Sequence, residues 1–264
     1  MPRAKRRLAQ HFLSDPRILQ RIADALEPTT ADTVLEIGPG PGGLTAALAS
    51  RAGRVIAIEK DGDLVPGLRE RFPRATVVEG DALDLDWHAL AGTGALVAGN
   101  IPYNITSPLI DKALTPPRPP RIVFLVQKEV ADRVTADAGG ATYGALSVGV
   151  QAVARAERLF VVPAGAFHPR PTVDSAVLRL TPLPRPLVSE DELPTFRRLT
   201  VGLFGFRRKQ LGRGVRQLTG WPADRVAEVL TRAEVDSSLR PETLAPDAFV
   251  RLRHALVDGG WAGK

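Results

Sequence analysis

The segment Gly99-Asn100-Ile101-Pro102-Tyr103-Asn104-Ile105 carries the most specific chemistry in the sequence. Asn100 offers a side-chain amide oxygen as acceptor, Pro102 stiffens the backbone beside it, and Tyr103 supplies an aromatic face. That set suits an exocyclic amino group such as that of adenine. Such a nitrogen is a poor nucleophile because its lone pair is delocalised into the ring. Two acceptors gripping the amino hydrogens, the Asn100 oxygen and a backbone carbonyl beside Pro102, would favour a pyramidal nitrogen with its lone pair directed outwards. Tyr103 would stack on the purine. Against an already activated methyl group, such as that of a sulfonium, positioning carries most of the rate and no strong base is required. The plainer alternative, a proline turn at a strand end with a buried Tyr, leaves Asn100 without a task.

A second constellation lies upstream. Val34-Leu35-Glu36-Ile37 runs into Gly38-Pro39-Gly40-Pro41-Gly42-Gly43, where glycines permit positive φ and close approach of a ligand to the backbone. Gly38, Gly40 and Gly43 satisfy a dinucleotide spacing, and Gly38, Gly40 and Gly42 satisfy the E-x-G-x-G-x-G spacing of S-adenosylmethionine sites. Glu59, 21 residues past Gly38, is placed to accept from both hydroxyls of a ribose. Both cofactors carry that ribose. Asp81, after Val77-Val78-Glu79-Gly80, separates them better, since at that strand end it faces an adenine ring and its amino group. Glu36 would sit under the methionine end. Each acid alone is also an ordinary solvated strand-end residue.

The elements that must position these residues follow from the pattern. Short apolar runs at Val34–Ile37, Arg54–Glu59, Ala75–Val78, Ala95–Ala98 and Arg121–Val126 predict parallel strands buried on both faces. Helices are expected at Gly43–Arg51 and Gly62–Phe72, and an amphipathic helix at Pro16–Leu26 capped by Ser14 or Asp15. Val148–Phe160 and Val173–Leu180 read as two later strands, an antiparallel pair at the sheet edge. This predicts an α/β fold, a doubly wound Rossmann-like methyltransferase sheet whose ligands bind outside the carboxyl ends of the strands. The proline-spaced stretch Thr181–Pro186 reads as a linker. Two domains are therefore expected, 1–185 with a basic N-terminal arm, and a small helical RNA- or ribosome-binding domain over 186–264.

Composition limits the function classes. The 264 residues are 44% hydrophobic and 24% charged, enough for a sizeable core and unlike a disordered or fibrous chain. No run approaches the roughly 20 apolar residues of a membrane span, and no signal core follows the basic N-terminus; a cytoplasmic protein is expected. Cysteine is absent, and His11, His88, His168 and His254 show no ligand spacing, so no metal site is expected. Ser147 and Ser175 have no partnering His and acid for hydrolase chemistry. The net charge is +6, and 29 of the 35 cations are Arg, suited to phosphate through its planar fork, though a GC-rich genome gives the same bias. Clustering says more: Arg197 to Arg216 holds seven cations and no acid, and Arg3, Lys5, Arg6 and Arg7 open the chain. Phe167-His168-Pro169-Arg170-Pro171 adds an aromatic beside a stiff loop, able to face an extruded base, with Arg170 in reach of phosphate; a core Phe beside a loop is equally consistent.

Taken together, these stretches resemble the ribosomal RNA adenine N6-dimethyltransferases, most closely the bacterial small-subunit (16S) branch. The likeness spans nearly the whole chain: Gln10–Leu13, Glu36–Gly42, Glu59, Asp81, Asn100–Tyr103, Gln127–Val130, Tyr143–Ser147, Phe167–Val177, Arg207–Lys209 and Arg240–Glu242. It implies dimethylation of two adjacent adenines in a hairpin near the 3′ end of small-subunit rRNA, with S-adenosylmethionine as cofactor and an immature small subunit as partner, by a monomer. It implies catalytic roles for Asn100, Pro102, Tyr103 and Phe167, the last closing the adenine pocket opposite Tyr103. It also implies cofactor contacts at His11, Leu13, Gly38, Glu59, Asp81 and Asn100. His11 stands where many relatives have Asn, which allows a contact through its backbone. Arg3, Lys5, Arg6, Arg7, Arg170, Arg207, Arg208 and Lys209 are the expected RNA contacts. A dehydrogenase would leave Asn100–Tyr103 and the basic tail unused. The large-subunit branch shares the Asn-x-Pro-Tyr and Phe-x-Pro-x-Pro elements, but Gln127–Arg133, Tyr143–Ser147 and Arg207–Lys209 favour the small-subunit branch. The intact tetrapeptide and glycine loop speak against an assembly factor that has lost its chemistry.

Overall fold

A computed structural model describes residue 5 and residues 10–263. The chain divides into two compact units, one comprising residues up to Ala131 with Ala156–Pro182, the other Asp132–Arg155 with residues from Leu183 onwards.

The first unit carries a seven-stranded sheet in the order β4-β3-β2-β5-β6-β9-β7. In chain order its elements are β1 (Phe12–Leu13), α1 (Pro16–Leu26), β2 (Thr33–Ile37), α2 (Gly43–Ala49), β3 (Arg54–Glu59), α3 (Val65–Arg71), β4 (Thr76–Glu79), α4 (Trp87–Ala91), β5 (Leu96–Asn100), α5 (Thr106–Ala113) and β6 (Ile122–Gln127). After α6 (Lys128–Val134) and α7 (Ala145–Gln151) come β7 (Ala154–Val162), β8 (Phe167–His168) and β9 (Ser175–Pro182). Strands β2 to β6 pair in parallel, and β9 runs antiparallel to β6 with Gln127 opposite Ser175. Of the parallel strands, β2, β3, β5 and β6 are buried along almost their whole length, as their apolar runs require, whereas β4 at the sheet edge buries only Val77. Asp15 caps α1 by accepting from Arg17 N (2.8 Å), and Ile22, Ala23 and Leu26 enter the core beside Val34, Leu96 and Val123.

Two expectations need correction. Residues 148–151, expected to open a strand, belong to α7: Ser147 Oγ accepts from Gly144 N (3.0 Å) and donates to the Arg133 carbonyl, closing the first turn, while Val148 and Val150 are buried. Burial overrides the β preference of the valines. The single boundary at 185/186 also omits residues 132–155, which belong with the helical unit. Buried Tyr143 donates to the Leu244 carbonyl (2.9 Å) and meets Phe204 edge-on at 6.0 Å, and Gly139 N donates to the Glu242 carbonyl (2.6 Å). Thus Tyr143–Ser147 and Arg240–Glu242, far apart in sequence, share one packing task. The rest of that unit is α8 (Leu193–Gly205), α9 (Leu211–Thr219), α10 (Ala223–Arg232) and α11 (Pro246–Asp258), closed around Phe196, Leu199, Leu203, Val215, Phe249 and Leu252. Among the described residues no helix is long and apolar enough to cross a membrane.

Candidate active site

A cavity opens at the carboxyl ends of β2, β3, β4 and β5, where the pairing of parallel strands stops and the loops diverge. His11, Leu13, Gly38, Glu59, Asp81, Asn100, Pro102 and Tyr103 all line it. Gly38 (φ +68°) and Gly40 (φ +55°) hold the loop after β2 in the left-handed region. A Cβ on Gly40 would stand 3.0 Å from the Phe12 ring, so the loop and β1 approach as closely as they do because Gly40 has no side chain.

The carboxylates have distinct surroundings. Glu59, 5% exposed, accepts from Gly40 N (3.0 Å) through one oxygen and from Asp61 N (2.8 Å) through the other, and burial pushes its pKa up. Asp81 pairs with Lys60 at 2.5 Å and accepts from Leu83 N (2.9 Å); the Lys60 hydrogen bond holds its carboxyl below the usual range. Glu36 lines the cavity with no exposure and neither oxygen in hydrogen-bond geometry with a partner; burial raises its pKa to about 8, against the lowering influence of the nearby Thr45 hydroxyl and with Glu59 adding to the rise. It is therefore neutral near pH 7 unless a cation comes close.

Asn100 ends β5, and its Nδ2 donates to the His11 carbonyl at 2.8 Å. This bond fixes the amide plane and leaves Oδ1 as the free acceptor. Pro102 begins a tight turn in which its own carbonyl accepts from Ile105 N (3.1 Å) and Thr106 Oγ1 (3.3 Å). Tyr103 is held at two points: its hydroxyl shares a 2.7 Å hydrogen bond with buried Ser175 Oγ, and its ring stacks on His11 at 5.4 Å with 24° between planes. The His11 ring is in turn tied to the Pro169 carbonyl through Nδ1 at 2.8 Å. Sequence reasoning did not assign Ser175 this role. Its trace in the sequence is a small polar residue at the start of a strand whose next three residues are apolar.

Other expected residues lie elsewhere. Phe167 is not on the cavity wall. The antiparallel pairing of Leu13 with Phe167 sets its ring in the core among Leu13, Ile22 and Val177, 5% exposed. Lys5 is not available for phosphate, because Asp61 (2.5 Å) and Asp63 both hold its ammonium, while Gln10 Nε2 donates to Asp61 at 3.0 Å. Burial is the largest influence on Asp61 and raises its pKa, but the bonds from Lys5 and Gln10 outweigh it and keep the carboxyl low. Arg3, Arg6 and Arg7 lie outside the described residues. Arg170 is exposed beside the site. Arg207, Arg208 and Lys209 are exposed in the helical unit, where Arg207 donates to the Ala141 carbonyl (2.9 Å) and Lys209 to Gln217 Oε1 (2.6 Å). Among the described residues no group of three or more His, Asp and Glu is set to hold a metal ion.

Comparison with known proteins bears on this arrangement. A family model described as ribosomal RNA adenine dimethylase matches residues 1–251. The ribosomal RNA small subunit methyltransferase A of Acidithiobacillus ferrooxidans is 41% identical, over 98% of this chain and 97% of its own. Among solved structures, a dimethyladenosine transferase from Plasmodium falciparum superposes with a TM-score of 0.83 at 26% identity, covering 95% of this chain and 98% of the other. The 23S rRNA methyltransferase ErmE superposes at 0.73 with 30% identity, covering 93% and 99%.

Proposed function

The chain belongs to the ribosomal RNA adenine dimethylase family, and from that membership we propose that it dimethylates N6 of two adjacent adenines in a hairpin near the 3′ end of small-subunit rRNA, using S-adenosylmethionine. In this reading it works as a cytoplasmic monomer on an immature small subunit. The observation that carries the chemistry is the Asn100 amide, locked by the His11 carbonyl so that its oxygen is the atom left to accept.

The cavity fits the cofactor. Buried Glu36, its oxygens without a hydrogen-bond partner, would be satisfied by a cationic ligand, and Gly38, where a Cβ would meet only the Asn100 carbonyl at 3.6 Å, presents bare backbone to the cavity. When bound, S-adenosylmethionine supplies a methyl group activated by a cationic sulfur. Each oxygen of Glu59 keeps a second lone pair for a ribose hydroxyl, and Asp81, ionised beside Lys60, keeps lone pairs for an adenine amino group. His11 and Leu13 bound the same cavity from β1 and the residue before it.

For the target base, Asn100 Oδ1 takes one amino hydrogen. The Pro102 carbonyl is already occupied within its turn, so the Ile101 carbonyl is the one beside it that is left for the other. Holding both hydrogens localises the nitrogen lone pair, and the alkylated nitrogen sheds its proton to solvent without a protein base. Burial raises the Tyr103 phenol, so it stays protonated and serves through its ring face. The His11 ring covers one face of Tyr103, which leaves the opposite face for a base. The likeness to the Acidithiobacillus enzyme supports the small subunit as substrate over the large one.

The test is to incubate the protein with radiolabelled S-adenosylmethionine and purified small or large subunits, then map the label. Label on two adjacent adenines near the 3′ end of the small-subunit rRNA is expected. Label on large-subunit rRNA, or none on either, would overturn the reading.

A further inference from the structure

The cations of the helical unit differ in what holds them. Arg207 and Lys209 have hydrogen-bond partners within the unit. Arg213 and Arg216, three residues apart and therefore neighbours on one side of α9, are exposed and have no partner among the described residues. Together with Lys209, Gln217, Gly220 and Trp221 they line a hollow of about 460 Å³ that contains no acidic residue. The carbonyl end of α9 contributes only about half a negative charge there, against three positive side chains.

Trp221 gives this hollow its second property. Gly220, at φ +72°, turns the chain at the end of α9 and brings the indole to the rim. The Arg225 guanidinium lies over the ring, 3.9 Å from its centroid, and is itself anchored to the Gly259 carbonyl. The indole is thus backed from one side and immobilised. A fixed aromatic face beside unpaired arginines suits a nucleotide, because every base has a face to stack and the guanidinium fork matches phosphate. An acidic peptide would satisfy the arginines and leave the indole unused.

We propose that this hollow is a second RNA subsite, in which Arg213 and Arg216 hold successive phosphates of a single-stranded segment while one base stacks on Trp221. The assignment rests on the rRNA reading above and concerns residues outside the Arg207–Arg208 pair. It would anchor the substrate away from the methyl-transfer cavity, without reading sequence.

The test measures binding of a short oligouridylate by the full-length protein across a salt series, with S-adenosylmethionine binding as the check that each variant is folded. R213Q/R216Q should weaken binding and lower the salt slope by about 0.7 for each phosphate no longer neutralised, whereas R213K/R216K should keep the slope. W221A should weaken binding about five- to 150-fold, the range set by loss of one stacked base, and W221F should recover most of it. An unchanged slope in R213Q/R216Q, or unchanged affinity in W221A, would overturn the proposal. So would polyglutamate displacing the oligonucleotide as well as RNA does and losing as much affinity in W221A, which would assign the hollow to an acidic protein segment. If the wild-type protein binds as expected here yet methylates neither ribosomal subunit, it is the catalytic reading that fails, and this site stands.

Discussion

Around the methyl-transfer cavity Lys5, Lys60 and Lys112 are answered from within the chain, whereas on α9 Arg213 and Arg216 are not. Lys5 is held by Asp61 and Asp63, Lys60 by Asp81, and Lys112 by the carbonyls of Leu83 (2.6 Å) and Leu85 (2.7 Å). Arg213 and Arg216 face solvent without partners among the described residues. Internal pairing holds carboxylates and loops in one arrangement, which positioning chemistry needs. Unpaired surface cations gain little from the fold and repel one another, so their free energy improves when a polyanion arrives. One region is built for precision and the other for attraction, and substitutions should separate the two.

The largest effect is expected at Glu36, a cavity carboxyl with neither oxygen hydrogen-bonded. Its folded-state pKa of about 8 lies above its unfolded value, so the ligand-free protein binds the extra proton when folded. Stability should therefore fall as pH rises from about 4.5 to about 8 and level off beyond, by a few kcal/mol at about 1.4 kcal/mol for each pH unit between those two values. Denaturant unfolding of E36Q should show a flatter profile and a growing advantage over wild type with pH; parallel profiles would show that Glu36 does not hold its proton.

Next is Phe167→Ala. Because the ring is in the core, the variant should lose about 3–5 kcal/mol of stability. A variant with normal melting but impaired use of RNA would return Phe167 to the cavity wall.

Asn100→Ala should cost about 10²–10³ in turnover, by analogy with removal of one preorganised hydrogen-bonding group from an active site, with a smaller change in cofactor affinity. Near-normal turnover in a folded N100A protein would remove Asn100 from the chemistry.

Tyr103→Ala should weaken use of RNA by about 1–3 kcal/mol, the worth of one stacked base, and Tyr103→Phe should be milder, losing only the Ser175 bond. If cofactor affinity alone falls in the alanine variant, the ring serves the cofactor instead.

The mildest change tests the other region. Replacing Arg207, Arg208 and Lys209 together by Gln should lower the salt slope of binding to the small subunit by about 0.7–0.9 for each phosphate these side chains neutralise, leaving cofactor binding alone. An unchanged slope would mark the triad as a solvated face.

Much of this was legible in the sequence because the signals are local. A parallel strand must be a short apolar run, so β2 to β6 were placed within two residues of their observed ends. Glycines at a strand end, acids at the next two and Asn-x-Pro-Tyr at the fourth mark a site because strand ends in such a sheet converge. What the sequence could not determine is which distant groups meet. The ring of Phe167 and the ammonium of Lys5 both looked available, and only pairing with Leu13 and capture by Asp61 and Asp63 decided otherwise. Likewise the valines of α7 carry a strand preference that burial overrode, and Tyr143 drew residues 132–155 into the helical unit through a hydrogen bond spanning 101 residues. Residue type and spacing set what each group can do. Whether it is free to do it depends on long-range partners, whose energies are comparable to the local preferences they override.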